Sequence, residues 1–205
     1  MAVLRTLLAS LLLLTAGIGV LAALTDEFRA FTTASALRIS VREQPRPVPD
    51  VALQTADGRT IDLKDLQGRW VLVDFIYTRC VSTCSVQGSE FARLQNRLAA
   101  PIARGEVSLL SISFDPAHDG PAQLAGYQRR SGTRGAGWIA ARPIDSDGLQ
   151  DLMRVFGIKA VADGMGGFIH NPVVAVVDPH GRLVAVLDWD DPDAAVAFVT
   201  RGSDS

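Results

Sequence analysis

The segment WVLVDFIYTRCVSTCS, at residues 70–85, decides the fold, because an apolar run passes into a cysteine pair and then into a helical pattern. Residues 70–77 are almost continuously apolar, which is typical of a strand buried on both faces of a helix-covered sheet. Residues 85–99 follow with apolar side chains at helical spacing. Cys80 and Cys84 are therefore predicted to lie where a buried strand gives way to a helix.

The patterns on both sides of this segment predict an α/β domain. In chain order they predict a β-hairpin (51–53 and 60–63), a strand (70–77), a helix (85–99), a strand (107–114), two helices (121–130 and 148–156), a β-hairpin (173–177 and 183–187) and a helix (192–201). A strand–helix–strand unit implies a parallel central pair, and the closing hairpin adds antiparallel strands. We therefore expect a thioredoxin-like three-layer fold with an N-terminal β-hairpin extension and an inserted helical segment.

Composition excludes several classes of protein. The chain has 205 residues, with 20 Lys and Arg against 22 Asp and Glu, and its net charge of −2 argues against a nucleic-acid partner. A hydrophobic content of 48% is enough for a normal core and excludes global disorder. Two cysteines can neither staple a disulfide-rich miniprotein nor supply a four-cysteine zinc site.

The N-terminal residues carry the longest apolar run. Residues 6–25 contain no charged side chain, and a helix of that length spans a bilayer core of roughly 30 Å. We expect an uncleaved membrane anchor; the alternative is a cleaved signal peptide with a site near Ala34-Ser35-Ala36. Prolines at positions 45, 47 and 49 then break any helix. The predicted organisation is an anchor or signal peptide (1–25), a stalk or linker (26–46), a thioredoxin-like domain (47–201) and a tail (202–205).

The cysteine pair favours metal binding or redox chemistry. A helix N-terminus lowers the pKa of a thiol, and the thiolate is the form that binds metals and attacks disulfides. With C-x3-C spacing, Cys80 and Cys84 share one face of a helix, so their sulfurs can converge on one ion or form a disulfide. Two soft thiolates suit Cu(I) or zinc, and the alternative is a pair of buried small side chains. Asp74, in the predicted strand, is expected to pair with a backbone donor or with Arg79; the alternative is an acid–base group near the cysteines.

Two thiolates leave a metal under-coordinated, so a third ligand is expected among the three histidines. His118 and His180 lie in predicted turns and are expected to be solvated loop side chains. His170 follows a glycine-bearing loop and precedes the strand at 173–177, which in a thioredoxin-like sheet lies near the start of the first helix. We therefore expect His170 close to the cysteines; the alternative is a structural histidine. Met165, in the same loop, is expected to be a packing residue.

These features, in this order, resemble the Sco (SenC) family of copper-binding, thioredoxin-like proteins. The resemblance covers residues 47–200 and is carried by three motifs: Cys80-x3-Cys84 after a buried β-run, Ser113-Phe114-Asp115-Pro116 at the next strand end, and His170 before a strand ending in Asp178-Pro179-x-Gly181. It implies that Cys80, Cys84 and His170 bind one copper ion. Val81 and Ser85 stand where the family usually has prolines, which favours a divergent branch.

The resemblance also implies a function. A copper metallochaperone would deliver the ion to the dinuclear copper site of cytochrome c oxidase, and its partner would be the copper-site subunit of that respiratory oxidase or another copper protein. The alternative is a thiol–disulfide oxidoreductase that reduces the cysteines of that site, with Cys80 and Cys84 as the redox-active pair. A peroxidase is disfavoured, because residues 77–80 lack the Thr-x-x-Cys arrangement of peroxiredoxins.

These hypotheses place the domain on the outer, periplasmic side of the cytoplasmic membrane, held by a single N-terminal helix. The charges near that helix favour the opposite orientation, because Arg29, Arg38 and Arg42 follow it and only Arg5 precedes it. We give the cysteine chemistry and the resemblance more weight, because copper delivery to an extracytoplasmic site requires the domain outside.

Overall fold

The computed structural model describes residues 2–25, 32–80, 83–133 and 136–203; for residues 83–86 and 203 it describes the backbone only. The chain divides into two compact units, Met1–Glu43 and Gln44–Ser205. Parts of the predicted tail (202–205) and stalk (26–46) lie outside the described residues. Arg29 lies outside them as well.

The first unit holds two helices, α1 (Ala2–Leu24) and α2 (Thr33–Glu43). With 23 residues, α1 is the one helix in the described part of the chain that is long and apolar enough to cross a membrane. At about 1.5 Å per residue it extends about 34 Å, enough for a hydrocarbon core of about 30 Å. The predicted N-terminal apolar helix is confirmed; whether it is an anchor or a signal peptide remains a prediction.

The second unit is built on an eight-stranded mixed sheet with the strand order β1-β10-β9-β4-β5-β6-β2-β3. A separate two-stranded sheet pairs β7 with β8. The strands are β1 (Arg46–Pro47), β2 (Ala52–Thr55), β3 (Thr60–Asp62), β4 (Trp70–Ile76), β5 (Val107–Ser113), β6 (Trp138–Pro143), β7 (Ala160–Ala162), β8 (Phe168–His170), β9 (Val173–Val177) and β10 (Arg182–Asp188). The helices are α3 (Thr83–Arg97), α4 (Ala99–Ala103), α5 (Pro121–Ser131), α6 (Ser146–Phe156) and α7 (Pro192–Ser203), with a short 3-10 helix at Leu63–Leu66.

The centre of the sheet has the predicted topology. Strands β4, β5 and β6 are parallel, with Asp74 opposite Ser111, and β9 runs antiparallel to β4. The predicted N-terminal hairpin, β2–β3, pairs with the outer side of β6. Because β4 and β5 are parallel, the segments that follow them emerge at the same edge of the sheet.

Helices cover both faces of this sheet. Alternate side chains of β4 point to opposite faces, and Leu72 and Ile76 join a buried cluster with Phe91 of α3, Leu124 of α5 and Val199 of α7. On the other face, the ring of Phe75 packs 5.2 Å from that of Phe156 at the end of α6. The core thus lies in two layers around one sheet, which is the predicted three-layer arrangement.

Strand β6 was not predicted, and it lies where the sequence indicates only a connection between two helices. Its sequence, WIAARP, contains two alanines and Arg142 and has neither strict alternation nor a β-branched run. The strand forms because β5 and β2 pair with its two edges. Long-range pairing therefore overrides a weak local preference for extended structure.

The predicted glycine-bearing loop before His170 is also partly wrong, because its flanks form the β7–β8 hairpin. Gly164 and Gly166 have φ angles of 75° and 89°, a left-handed conformation that glycine adopts without steric cost. The Asp163 carboxylate accepts the backbone N–H of Met165 at 2.7 Å. His170 thus lies at the end of β8, a paired strand, and the residue before it, Ile169, is exposed.

Candidate metal centre

Cys80 lies in a tight turn directly after the central strand β4. Its backbone N–H donates to the carbonyl oxygen of Tyr77 at 3.3 Å, and the residue is half-buried. Cys84 follows in the first turn of α3, which begins at Thr83, two residues before the predicted start of this helix. The side chain of Cys84 is outside the described residues, so the relation between the two sulfurs remains a prediction.

An aromatic cluster (Tyr77, Phe114 and Phe168) fastens the β7–β8 hairpin to the edge of the sheet where β4 and β5 end. The ring of Phe168 lies 5.3 Å from that of Tyr77 and 5.5 Å from that of Phe114. The Tyr77 hydroxyl donates to the carbonyl oxygen of Phe168 and accepts its N–H, both at 3.3 Å. Edge-to-face aromatic pairs of this kind add to the free energy gained from burial alone.

His170 is the last residue of the same hairpin strand, and its side chain packs against two rings of this cluster. Its imidazole centroid is 5.1 Å from that of Phe114 and 6.2 Å from that of Tyr77. Burial among these rings lowers the pKa of His170, so the neutral imidazole, which is the form that ligates metals, predominates at neutral pH. His170 is thereby brought to Tyr77, which stands three positions before Cys80.

Two aspartates in the segment that follows β5 hold the residues immediately before Cys80. Asp119 is fully buried, and its carboxylate accepts the Thr78 N–H at 2.9 Å, the Thr78 hydroxyl at 2.6 Å and the Ser113 hydroxyl at 2.6 Å. Asp115 pairs with Arg79 at 2.7 Å. Charge-assisted hydrogen bonds are stronger than neutral ones, so the path of the chain into Cys80 is firmly set.

The side chain of His118 contacts Asp115, although the sequence predicted a solvated loop residue. Its ring is 56% exposed, but its Nδ1 lies 2.8 Å from a carboxylate oxygen of Asp115. Burial raises the pKa of Asp115, but hydrogen bonds from His118 and Arg79 outweigh that effect and hold it below its usual value. The signal that could have revealed this contact is the parallel pairing of β4 and β5, which brings their following segments together.

Asp74 differs from its prediction, because it pairs with neither Arg79 nor a backbone donor. It is fully buried in the middle of β4, and no hydrogen bond of normal geometry among the described residues reaches either carboxyl oxygen. Loss of hydration raises the pKa of Asp74 to about 7, and the nearby Ser111 hydroxyl and the backbone of Asp74 itself oppose this rise without cancelling it.

Two other sequence predictions concern residues away from this group. His180 lies in the turn between β9 and β10, at the opposite end of the sheet, as Val177 pairs with Val71 at the start of β4. Met165 is 88% exposed at the tip of the β7–β8 hairpin, so the expectation of a packing residue is wrong. Among the described side chains, which omit that of Cys84, no three His, Cys, Asp or Glu residues are grouped to hold a metal ion.

A family model described as SCO1/SenC matches residues 41–202 of the chain. The chain belongs to the SCO1/SenC family. The resemblance inferred from the cysteine, aspartate and histidine motifs is therefore confirmed at the level of the family, and with it the thioredoxin-like fold.

Relatives of the SCO1/SenC family support this assignment. A candidate copper-binding protein of Stutzerimonas stutzeri is 30% identical over 187 residues, which cover 89% of this chain and 88% of the relative. The structure of BsSco, a member of the Sco family of cytochrome c oxidase assembly proteins, superposes with a TM-score of 0.68 at 22% identity, over 78% of this chain and 95% of that one. Copper-bound Sco1 of yeast superposes with a TM-score of 0.60 at 21% identity, over 76% and 90%. Both likenesses to solved structures show the fold.

The resemblance implies prolines directly after the two cysteines, where this chain has Val81 and Ser85. Val81 is outside the described residues, and so is the side chain of Ser85. The divergent branch that these two residues favour therefore remains a prediction. The described neighbours of the loop, Thr78 and Arg79, are held by the two aspartates that follow β5.

Proposed function

We propose that this protein binds one copper ion through Cys80, Cys84 and His170 and delivers it to the dinuclear copper site of a respiratory oxidase. The observation that carries the proposal is the docking of the His170 strand on Tyr77, in the turn that leads into Cys80. The copper-bound yeast relative and the oxidase-assembly role of BsSco support the same reading.

The donor set fits copper in its reduced state. Two thiolates and one imidazole are soft or borderline donors, which suit Cu(I). The lowered pKa of His170 keeps its imidazole neutral, so no proton has to be displaced from it at neutral pH. Because Asp119 and Asp115 fix the residues before Cys80, that sulfur would approach the ion along a set path.

Transfer would proceed by ligand exchange with thiolates of the partner. The imidazole sits at the end of a short two-stranded sheet, whereas Cys80 follows a central strand of the main sheet. The ligand on the smaller sheet is the one expected to leave first, because fewer backbone hydrogen bonds hold it. Cys80 and Cys84 would then pass the ion to the partner's thiolates.

Delivery to an oxidase also fits the proposed organisation of the chain. In this proposal residues 1–25 anchor the protein in the cytoplasmic membrane and residues 26–46 form a stalk. Residues 47–201 then act as the copper-binding domain on the outer side, and residues 202–205 form a tail. The apolar helix α1 supports the first part of this arrangement.

Competition for Cu(I) against a chromogenic chelator tests the ligand set. The reduced full chain in detergent should bind one equivalent, and Cys80→Ser, Cys84→Ser and His170→Ala should each weaken binding at least about tenfold. His180→Ala is the matched control, because His180 lies at the opposite end of the sheet. Equal affinities for wild type and Cys80→Ser would contradict the proposal.

A second function, reduction of the client's copper-site cysteines, is supported by the disulfide switch identified in BsSco. There the Cys80–Cys84 pair would give two electrons and two protons to a disulfide of the partner. The variant His170→Ala separates the two functions. Loss of oxidase maturation with an unchanged reduction potential favours copper transfer, whereas preserved maturation favours the reductase.

A further inference from the structure

The outer side of the β7–β8 hairpin exposes three large apolar side chains. Val161 and Ile169 are direct neighbours across the hairpin and are 65% and 70% exposed, and Met165 is exposed at its tip. Outside α1, Ile144 is the one other large apolar side chain in the described part of the chain that is exposed. Single exposed apolar residues are ordinary, but three on one hairpin mark an interaction surface. Val161, Met165 and Ile169 are called the apolar face below.

Two arginines of α5 lie beside the turn that leads into Cys80. Arg130 donates to the carbonyl oxygen of Thr78 at 3.3 Å. A β-carbon on Gly126 would lie 3.1 Å from an Nη atom of Arg130 and 3.7 Å from one of Arg129, so both guanidinium groups lie beside this glycine. Both arginines are exposed, and no carboxylate of the described residues forms an ion pair with either. Arg129 and Arg130 are called the basic pair below.

The acidic side chains near this turn and at the hairpin tip are already engaged. Asp119 is buried, and its carboxylate accepts the three hydrogen bonds described above. Asp115 is also buried and pairs with Arg79. At the hairpin tip, the carboxylate of Asp163 accepts two backbone N–H groups of the same hairpin. The accessible charge beside the turn into Cys80 is therefore positive, although the whole chain has a net charge of −2.

We propose that the client protein docks on both surfaces, with carboxylates against the basic pair and apolar side chains against the apolar face. The two surfaces flank the proposed ligands, because the basic pair contacts the turn into Cys80 and the hairpin strand ends at His170. Arginine and methionine are enriched at protein interfaces, and a guanidinium group binds a carboxylate through two parallel hydrogen bonds. The identity of the client rests on the proposed function, but the contact itself needs no copper.

The chemistry of the basic pair favours a protein over a lipid surface. An anionic bilayer also attracts arginines and apolar side chains. Arg130, however, is held by a backbone carbonyl, and a planar guanidinium in a set orientation suits the directional hydrogen bonds of a carboxylate. A positive surface that meets an acidic partner speeds their encounter, so the contribution of the basic pair should appear in the association rate and in its dependence on salt.

The test follows association of the reduced, metal-free full chain, in phosphatidylcholine nanodiscs, with the reduced, metal-free copper-site domain of the oxidase encoded in the same genome. Arg129→Gln/Arg130→Gln neutralises the basic pair, and Arg59→Gln/Arg104→Gln is the control with the same change in charge. The control arginines are exposed and lie at the opposite edge of the sheet, in the β2–β3 turn and before β5. Met165→Ser removes the most exposed side chain of the apolar face.

At low ionic strength, neutralising the basic pair should slow association about tenfold, and about 0.5 M salt should slow the wild type by a similar factor. The control pair should associate like the wild type. Met165→Ser should keep the association rate and dissociate about tenfold faster. Wild-type rates in the basic-pair variant, equal slowing in the control pair, or a wild type that does not associate would overturn the proposal. An unchanged dissociation rate in Met165→Ser would contradict the apolar contact.

Two further measurements separate this proposal from the others. If nanodiscs with about 30% phosphatidylglycerol slow wild-type association to the rate of the basic-pair variant, the basic pair binds lipid and the proposal is wrong. Cu(I) affinities from chelator competition should be equal for the wild type, the basic-pair variant and Met165→Ser. Because association is measured without metal, a failure of copper binding would leave the docking result intact.

Discussion

The buried Asp74 should make the protein less stable as the pH rises toward neutrality, and Asp74→Asn should remove that dependence. Below pH 3.8, the ordinary pKa of the side chain, the carboxyl is protonated in both the folded and the unfolded chain. As the pH rises, the unfolded chain ionises first, so the free energy of unfolding falls until the folded carboxyl also ionises near pH 7. A rise in pKa from 3.8 to about 7 corresponds to about 4 kcal/mol.

The assay is urea unfolding of the reduced full chain in detergent, at about pH 4.5 and about pH 8, where the Asp74 contribution should differ by about 3 kcal/mol. The free energy of unfolding of Asp74→Asn, taken relative to that of wild type, should therefore be about 3 kcal/mol higher at about pH 8 than at about pH 4.5. Asp178→Asn is the control, because Asp178 is buried but hydrogen-bonded to Arg182 and to backbone N–H groups. Its removal should destabilise the protein under both conditions. A difference between Asp74→Asn and wild type that does not change with pH would refute the reasoning.

Three further predictions follow from the site. Asp119→Ala leaves three donors from Thr78 and Ser113 without their acceptor and should cost about 3 kcal/mol, with faster hydrogen exchange at the Thr78 amide. Phe168→Ala removes the ring that holds the β7–β8 hairpin, so Cu(I) affinity should fall about tenfold while the free energy of unfolding drops by about 1 to 2 kcal/mol. The pKa of His170 is lowered from 6.5, so the folded protein keeps this imidazole neutral at a lower pH than the unfolded chain does. Its contribution to the free energy of unfolding is therefore full above pH 6.5 and is lost as the pH falls through the lower pKa of the folded state. Cu(I) affinity measured on either side of pH 6.5 should therefore fall less than for an exposed histidine ligand.

The elements that carry their own hydrophobic pattern were predictable from the sequence. Residues 70–77 are almost continuously apolar and include three β-branched side chains, and β4 occupies Trp70–Ile76. The helix at 85–99 is found as Thr83–Arg97, and the closing hairpin is found as β9 and β10. In each case the local preference agrees with the packing that the final fold imposes.

The contacts around Cys80 were not predictable, because they depend on neighbours distant in sequence. His118 and Asp119 sit in a turn whose residue types suit any polar loop, and only the parallel pairing of β4 with β5 brings them to Thr78. The same holds for β6, which forms because two strands pair with it. Asp74 looked like an ordinary strand residue, and its isolation appears only when the helices are packed on the sheet.

The most direct test of the central claim is X-ray absorption at the copper edge on the Cu(I)-loaded, reduced full chain. The account predicts two sulfur scatterers and one imidazole nitrogen for wild type and for His180→Ala, with loss of the nitrogen in His170→Ala and of one sulfur in Cys80→Ser. Wild-type and His170→Ala spectra that match in every shell, or a copper shell without sulfur, would contradict the proposed site.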